Sequence, residues 1–365
     1  MTGLDDLAAA ARSTAAGRTG AGPEPRRVEQ LPPAPPVSGA IKPRVGLVLS
    51  GGGAKGAYHV GVVECLASAG VHIDAVAGAS IGALNGAVLA CAGDLEQGAV
   101  ALRAIWDEVA AYSAVPERRG GVADSLGVPV EETTSEQLRL LLPRLTGQVV
   151  RPTYLEGLVA THVDPGRLDG GTPLWVSAFP ALEELDVLHD WGWVLDVLRS
   201  RLGTRAEWLH VNALPPEERQ PAVLASAALP VILPARRVDG RLFRDGGIAD
   251  NTPVGALAHR EQCDIVIVVH LTDGVLWDAH DFPGIGVIEI RPSRPLQMPG
   301  PLGGTTALVD FSPSRLHSLR ELGNRDATSI LEALGAQVSA VWGTRTAEQS
   351  MLDAVARLES ATGTD

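Results

Sequence analysis

Three short stretches bring together the groups needed to break an ester. Gly78-Ala79-Ser80-Ile81-Gly82 has the G-x-S-x-G form, in which small neighbours let a sharp strand-to-helix turn push a serine hydroxyl into the open. A helix beginning at Ser80 adds its positive N-terminal end, which favours an alkoxide and a developing oxyanion. Gly51-Gly52-Gly53-Ala54-Lys55-Gly56 offers backbone N–H groups that no side chain shields, as an oxyanion hole or a phosphate cradle requires. Asp245-Gly246-Gly247 holds a carboxylate at a strand end, in a tight turn that two glycines permit.

A serine nucleophile needs a base, and histidine is the usual one. Nine histidines are present, yet none falls in a comparable turn: His59 and His259 lie in helical stretches and His270 ends a strand. Asp245 is therefore the better base. A carboxylate with an ordinary pKa of about 4 deprotonates a hydroxyl poorly, so its site is expected to be partly desolvated and the oxyanion well held. Asp250 and Asn251 read as turn and helix-cap residues, and Lys55 as a solvated side chain.

Apolar periodicity supplies the elements that position these groups. Val45–Leu49 reads as a buried strand, the run from Ala57 to Ala69 as a helix stopped by Gly70, and residues 71–77 as a second strand. That is a parallel strand–helix–strand unit, and it sets the glycine loop and the serine turn side by side at the carboxyl ends of neighbouring strands. Ser80 is placed to cap a helix through Cys91, apolar nearly all round and so central. Helices follow over 95–112 and from Thr134, separated by a polar loop over 116–133. Strands are expected at 173–179, 208–213, 264–271 and 286–291, with a helix at 218–229. The apolar stretch 181–204 reads as core, or as a lid that meets lipid. A Pro/Gly loop over 295–307 leads to a tail of three helices, 314–322, 326–341 and 346–358.

Residues 1–43, rich in Ala, Gly and Pro, lack an apolar period that would offset the entropy of ordering, and read as a disordered leader. Residues 44–272 form the expected catalytic domain, with 273–365 packed on it as a strand, a loop and helices. A net charge of −13 opposes binding to nucleic acid. Cys65, Cys91 and Cys263 have neither metal-ligand nor redox spacing and read as small buried hydrophobes in a reducing compartment. With no run near the ~18 apolar residues of a membrane span, the chain is expected to be soluble and cytoplasmic, meeting membranes peripherally. No cofactor or metal is called for.

Taken together, the motifs resemble the patatin-like phospholipases, whose signatures are a G-x-G-x-x-G loop, a G-x-S-x-G serine elbow and a D-G-[GA] aspartate turn. Here they are Gly51–Gly56, Gly78–Gly82 and Asp245–Gly247, in the family's order, with Ala225-Ser226-Ala227-Ala228-Leu229-Pro230 similar to the segment before the aspartate turn. The resemblance implies a three-layer α/β fold with a mainly parallel central sheet flanked by helices. It also implies a Ser–Asp dyad acting on lipid or phospholipid esters at a membrane interface: Ser80 as nucleophile, Asp245 as base, and the amides of Gly52, Gly53 and Ala54 as the oxyanion hole. Two other readings stand beside it. Gly51-x-Gly53-x-x-Gly56 also matches a dinucleotide fingerprint, with Asp74 as the acid sought for the ribose, and a catalytically idle interaction domain would need none of this chemistry.

Overall fold

A strand buried on both faces must be apolar at every position, and β1 (Val45–Leu49) is. Leu47 and Leu49 enter the larger core on one face of the sheet, while Val48 enters a smaller one on the other. A computed structural model of the chain describes residues 42–115, 152–182, 199–200, 203–228, 234–272, 278–298 and 303–362. From β1 the chain passes through a tight helical turn, Gly53–Gly56, into α1 (Ala57–Ser68), and returns as β2 (Ala75–Gly78). β1 and β2 pair in parallel, with Leu49 opposite Gly78, so the glycine loop and the serine turn leave the sheet at one edge.

There follow α2 (Ile81–Ala90), α3 (Leu95–Ala114), α4 (Pro152–His162), β3 (Leu174–Pro180), β4 (Glu207–His210) and α5 (Pro216–Ser226). The remaining described elements are β5 (Arg236–Val238), β6 (Arg241–Asp245), β7 (Ile265–Val269), β8 (Gly286–Ile290), α6 (Gly303–Val309) and α7 (Pro313–Thr362). The sheet order is β5-β6-β3-β2-β1-β7-β8, with β4 also paired to β3. The run β3-β2-β1-β7-β8 is parallel, and β4, β5 and β6 are antiparallel additions at one side. This is the expected α/β architecture, a central sheet flanked by helices.

The antiparallel addition matters for the site. β2 pairs with β3 as far as Gly78 opposite Val176, whereas β6 pairs with β3 from Pro180 opposite Phe243 to Ala178 opposite Asp245. β6 therefore runs against the parallel strands and ends at their carboxyl edge, where it delivers Asp245.

Several boundaries differ from expectation. The second strand begins at Ala75, because Asp74 is engaged in closing the start of β1: its Oδ2 accepts the Val45 N–H at 2.8 Å. The stretch from Trp208 is a strand only to His210 and a tight helical turn over Val211–Ala213. The second half of the supposed 295–307 loop is α6. The tail is one continuous helix, α7, where three were expected; a Cβ on its Gly323 would lie 2.1 Å from the Tyr58 carbonyl oxygen, and one on Gly61 of α1 1.9 Å from that of Arg320. Those glycines let α1 and α7 touch backbone to backbone. The three cysteines are buried, as expected. Expectations for residues 1–41, for 116–151 and for 183–198 lie outside the described residues.

Candidate active site

The serine turn is built by exclusion of side chains. A Cβ on Gly82 would sit 2.0 Å from the Leu49 carbonyl oxygen, and one on Gly78 2.4 Å from the Gly82 backbone, so both flanking positions admit only glycine. Ser80 itself is held at φ 52°, a left-handed conformation that costs a non-glycine residue about 1–3 kcal/mol. Its N–H donates to the Ser226 carbonyl at 3.1 Å and lies 3.2 Å from Ser226 Oγ, which secures the turn from the end of α5. Ser80 occupies the N-cap position of α2 as expected, but its hydroxyl makes no capping hydrogen bond. The hydroxyl is left over for something else.

Asp245 closes the other side. Its N–H donates to the Ala228 carbonyl at 3.1 Å, so the segment Ser226–Ala228 ties Ser80 and Asp245 to one support. The carboxylate is fully buried; Oδ1 accepts the Gly247 N–H at 2.7 Å, and Oδ2 has no hydrogen-bond partner among the described residues. Burial pushes its pKa from 3.8 up to about 7, against the opposing pull of the Ser80 hydroxyl and the Gly247 amide. Ser80 thus stands close enough to act on Asp245, yet the pair does not meet ordinary hydrogen-bond geometry. The desolvation asked of an aspartate base is present.

The glycine loop lies on the strand next to the serine turn. A Cβ on Gly51 would be 3.0 Å from Ser80 Cβ, which places the loop against the hydroxyl-bearing residue. Gly53 has φ 56° and passes so near α6 that a Cβ would meet the Leu308 carbonyl oxygen at 2.2 Å. Among the described residues, the N–H groups of Gly52, Gly53 and Ala54 find no intramolecular acceptor. Three successive free amides beside a serine form a place where negative charge is stabilised.

Lys55 departs from expectation. It is buried, not solvated: its stem crosses Gly52 and its Nζ donates to the Leu271 carbonyl at 2.8 Å. The ammonium is held next to the loop because the strand end at Leu271 offers it an acceptor. His59 is buried too, its pKa pushed down to about 3 by desolvation, and it contacts Asn85, whose Nδ2 donates to the Gly56 carbonyl at 3.2 Å. Asp74 stands at the amino end of β2, the opposite edge of the sheet from the glycine loop, so the dinucleotide reading loses its ribose acid.

Asp250 makes the expected turn, its Oδ1 accepting the Thr252 N–H at 3.2 Å, and its Oδ2 also takes the Trp208 indole N–H at 2.8 Å. Sequence reasoning missed the supporting roles of Ser226 and Trp208. Ser226 had a signal in the small-residue segment before the aspartate turn; Trp208 had none, since its partner lies 42 residues away.

Fold and site together define an α/β protein with a strained serine turn, a glycine loop and a buried carboxylate at one edge of its sheet. The Patatin family, patatin-like phospholipase, matches residues 47–258, and the chain belongs to that family. An uncharacterized NTE family protein of Mycobacterium bovis is 30% identical over 246 residues, 67% of this chain and 54% of that protein. Lysophospholipase NTE1 of Cryptococcus neoformans is 26% identical over 225 residues, 62% of this chain and 11% of that protein. The chain thus spans about half the length of the mycobacterial relatives it matches. A solved structure, VipD from Legionella pneumophila, aligns at 16% identity and a TM-score of 0.40, covering 80% of this chain and 67% of that one, too loose an agreement to carry an argument.

Proposed function

We propose that the protein is a serine lipid acyl hydrolase working through a Ser80–Asp245 dyad. The observation that carries this reading is the buried Oδ2 of Asp245, without a hydrogen-bond partner among the described residues and beside a serine hydroxyl that does not cap its helix. Ser80 Oγ attacks the ester carbonyl and its proton passes to Asp245. The amides of Gly52, Gly53 and Ala54 take the developing oxyanion, with the N-terminus of α2 adding its field. Collapse of the tetrahedral intermediate expels the alcohol, which takes the proton back from Asp245. Water, deprotonated by the same carboxylate, attacks the acyl carbonyl; the second tetrahedral intermediate expels Ser80 Oγ, which takes that proton back from Asp245, and the fatty acid leaves.

Residues 44–272 carry this chemistry and the C-terminal strand and helices support it. Esters of lipids or phospholipids are the substrates, met at a membrane surface from the cytoplasm. Family membership and the lysophospholipase named among the relatives support that class. No described helix is long and apolar enough to cross a membrane.

A fluorophosphonate probe tests the reading. Wild-type protein is expected to label and to release fatty acid from lysophospholipid, and both signals are expected to vanish in Ser80→Ala. Folded wild-type protein that neither labels nor hydrolyses would overturn it.

A further inference from the structure

We propose that Asn251 is a positioning residue for the hydrolysis, holding the glycine loop in register with the aspartate turn; this rests on the serine hydrolase reading above. Asn251 answers both backbone groups of Gly51. Its carbonyl accepts the Gly51 N–H at 3.3 Å and its Nδ2 donates to the Gly51 carbonyl at 3.2 Å. The Asn251 side chain also fills the gap between loop and turn. A Cβ on Gly51 would lie 2.3 Å from Asn251 Oδ1, and a Cβ on Gly247 would lie 2.7 Å from the same oxygen and 2.9 Å from Oδ1 of Asp245. One amide therefore touches the base's turn on one side and the residue that opens the oxyanion loop on the other.

Asn251 is itself fixed from behind. The preceding Asp250 is anchored by the Trp208 indole, and the ring of Trp208 packs so closely on Gly255 that a Cβ there would lie 2.3 Å from it. β4, which carries Trp208, pairs with β3, and β3 pairs with the strand that ends in Asp245. The loop on β1 is thus referred back, through Asn251, to the part of the sheet that carries the base. Asn251 occupies both polar groups of Gly51, and the next three N–H groups, which have no acceptor among the described residues, share that fixed origin. An oxyanion hole works only when its donors are in place before charge develops, and a displacement of about 1 Å at such a site lowers turnover about 10²-fold.

Asn251→Asp is the decisive variant. It keeps the shape of the side chain but exchanges the Nδ2 donor for a carboxylate oxygen that repels the Gly51 carbonyl; Asn251→Ala removes the contact outright. For each, kcat and KM are measured on a soluble nitrophenyl ester, with inhibition by an alkyl trifluoromethyl ketone, which Ser80 would convert to a tetrahedral oxyanion, and with the melting temperature. The expected result is a fall in kcat of about 10²-fold with KM unchanged, and a matching loss of affinity for the ketone. Wild-type kcat in Asn251→Asp overturns the assignment, as does a loss confined to KM with ketone affinity intact. If Asn251→Ala fails to fold, the isosteric variant decides alone. Wild-type protein that leaves the ester intact and binds no ketone removes the hydrolase reading itself, and this assignment with it.

Discussion

A carboxylate is a poor base in water and an expensive group to bury, and the proposed role of Asp245 turns on both. In the fold its pKa is about 7, against 3.8 when exposed. The folded state holds the proton more tightly, so the stability linked to it is fully present below about pH 4 and falls as pH rises towards 7. Ionising Asp245 above that pH costs the fold on the order of 4 kcal/mol, from about 1.4 kcal/mol per pKa unit. Asp245→Asn is therefore expected to melt higher than wild type at pH 8, with the difference vanishing below about pH 4, as calorimetry across that range would show. The same variant is expected to lose kcat by on the order of 10³-fold or more. Wild-type kcat/KM should rise with pH to a plateau through an apparent pKa near 7, since the base must be ionised. An acid limb centred near 4 would mean the carboxylate is solvated when the enzyme works.

At the scale of elements, two turns with different backbones converge on one edge. The serine turn depends on Gly82 lying against Leu49, so Gly82→Ala, with a Cβ 2.0 Å from a carbonyl oxygen, must push α2 off β1. It is expected to lower stability by about 3 kcal/mol, at the upper end of overpacking effects, with a lower urea midpoint. An unchanged midpoint would show that α2 is not seated as described. This turn was legible in sequence because its requirements are local: small residues at fixed spacing between a strand and a helix. The direction of β6 was not. A strand followed by Asp-Gly-Gly reads alike whether it joins the sheet parallel or antiparallel, and only the pairing of Ala178 with Asp245 sets the carboxylate against Ser80. The continuity of α7 was hidden for a similar reason. A glycine inside a helix reads as a stop unless the neighbour that requires it is known.

For the whole molecule, α7 packs the C-terminal part of the described chain onto α1. Gly61 and Gly323 bring α7 onto α1, and Asp326 accepts both the Tyr58 hydroxyl and the Ser293 N–H at 3.0 Å. Burial and Asp326 together raise the Tyr58 pKa, so the phenol stays protonated and donates. α1 begins immediately after the glycine loop, and its seating against α7 is part of what fixes that loop. Gly323→Val places a Cβ 2.1 Å from the Tyr58 carbonyl oxygen and is expected to reduce stability by about 3 kcal/mol or more, read by chemical denaturation. If that variant denatures like wild type, the tail is not the support described.

The sequence by itself determined the α/β class and the two strand-to-helix turns, and it singled out Ser80 and Asp245 as the pair to propose. Turn chemistry is encoded by neighbours a few residues apart, through allowed φ and the room left where Cβ is absent. What the tertiary structure decided is the environment of those residues: the dry carboxylate and the amides of Gly52, Gly53 and Ala54, with no partner for Oδ2 or for those amides among the described residues, the inward Lys55, and the tie from Asn251 to Gly51 across 200 residues of chain. Burial and hydrogen-bond partnership are properties of packing. They depend on which distant segments share a sheet edge, and no local pattern of residues specifies that.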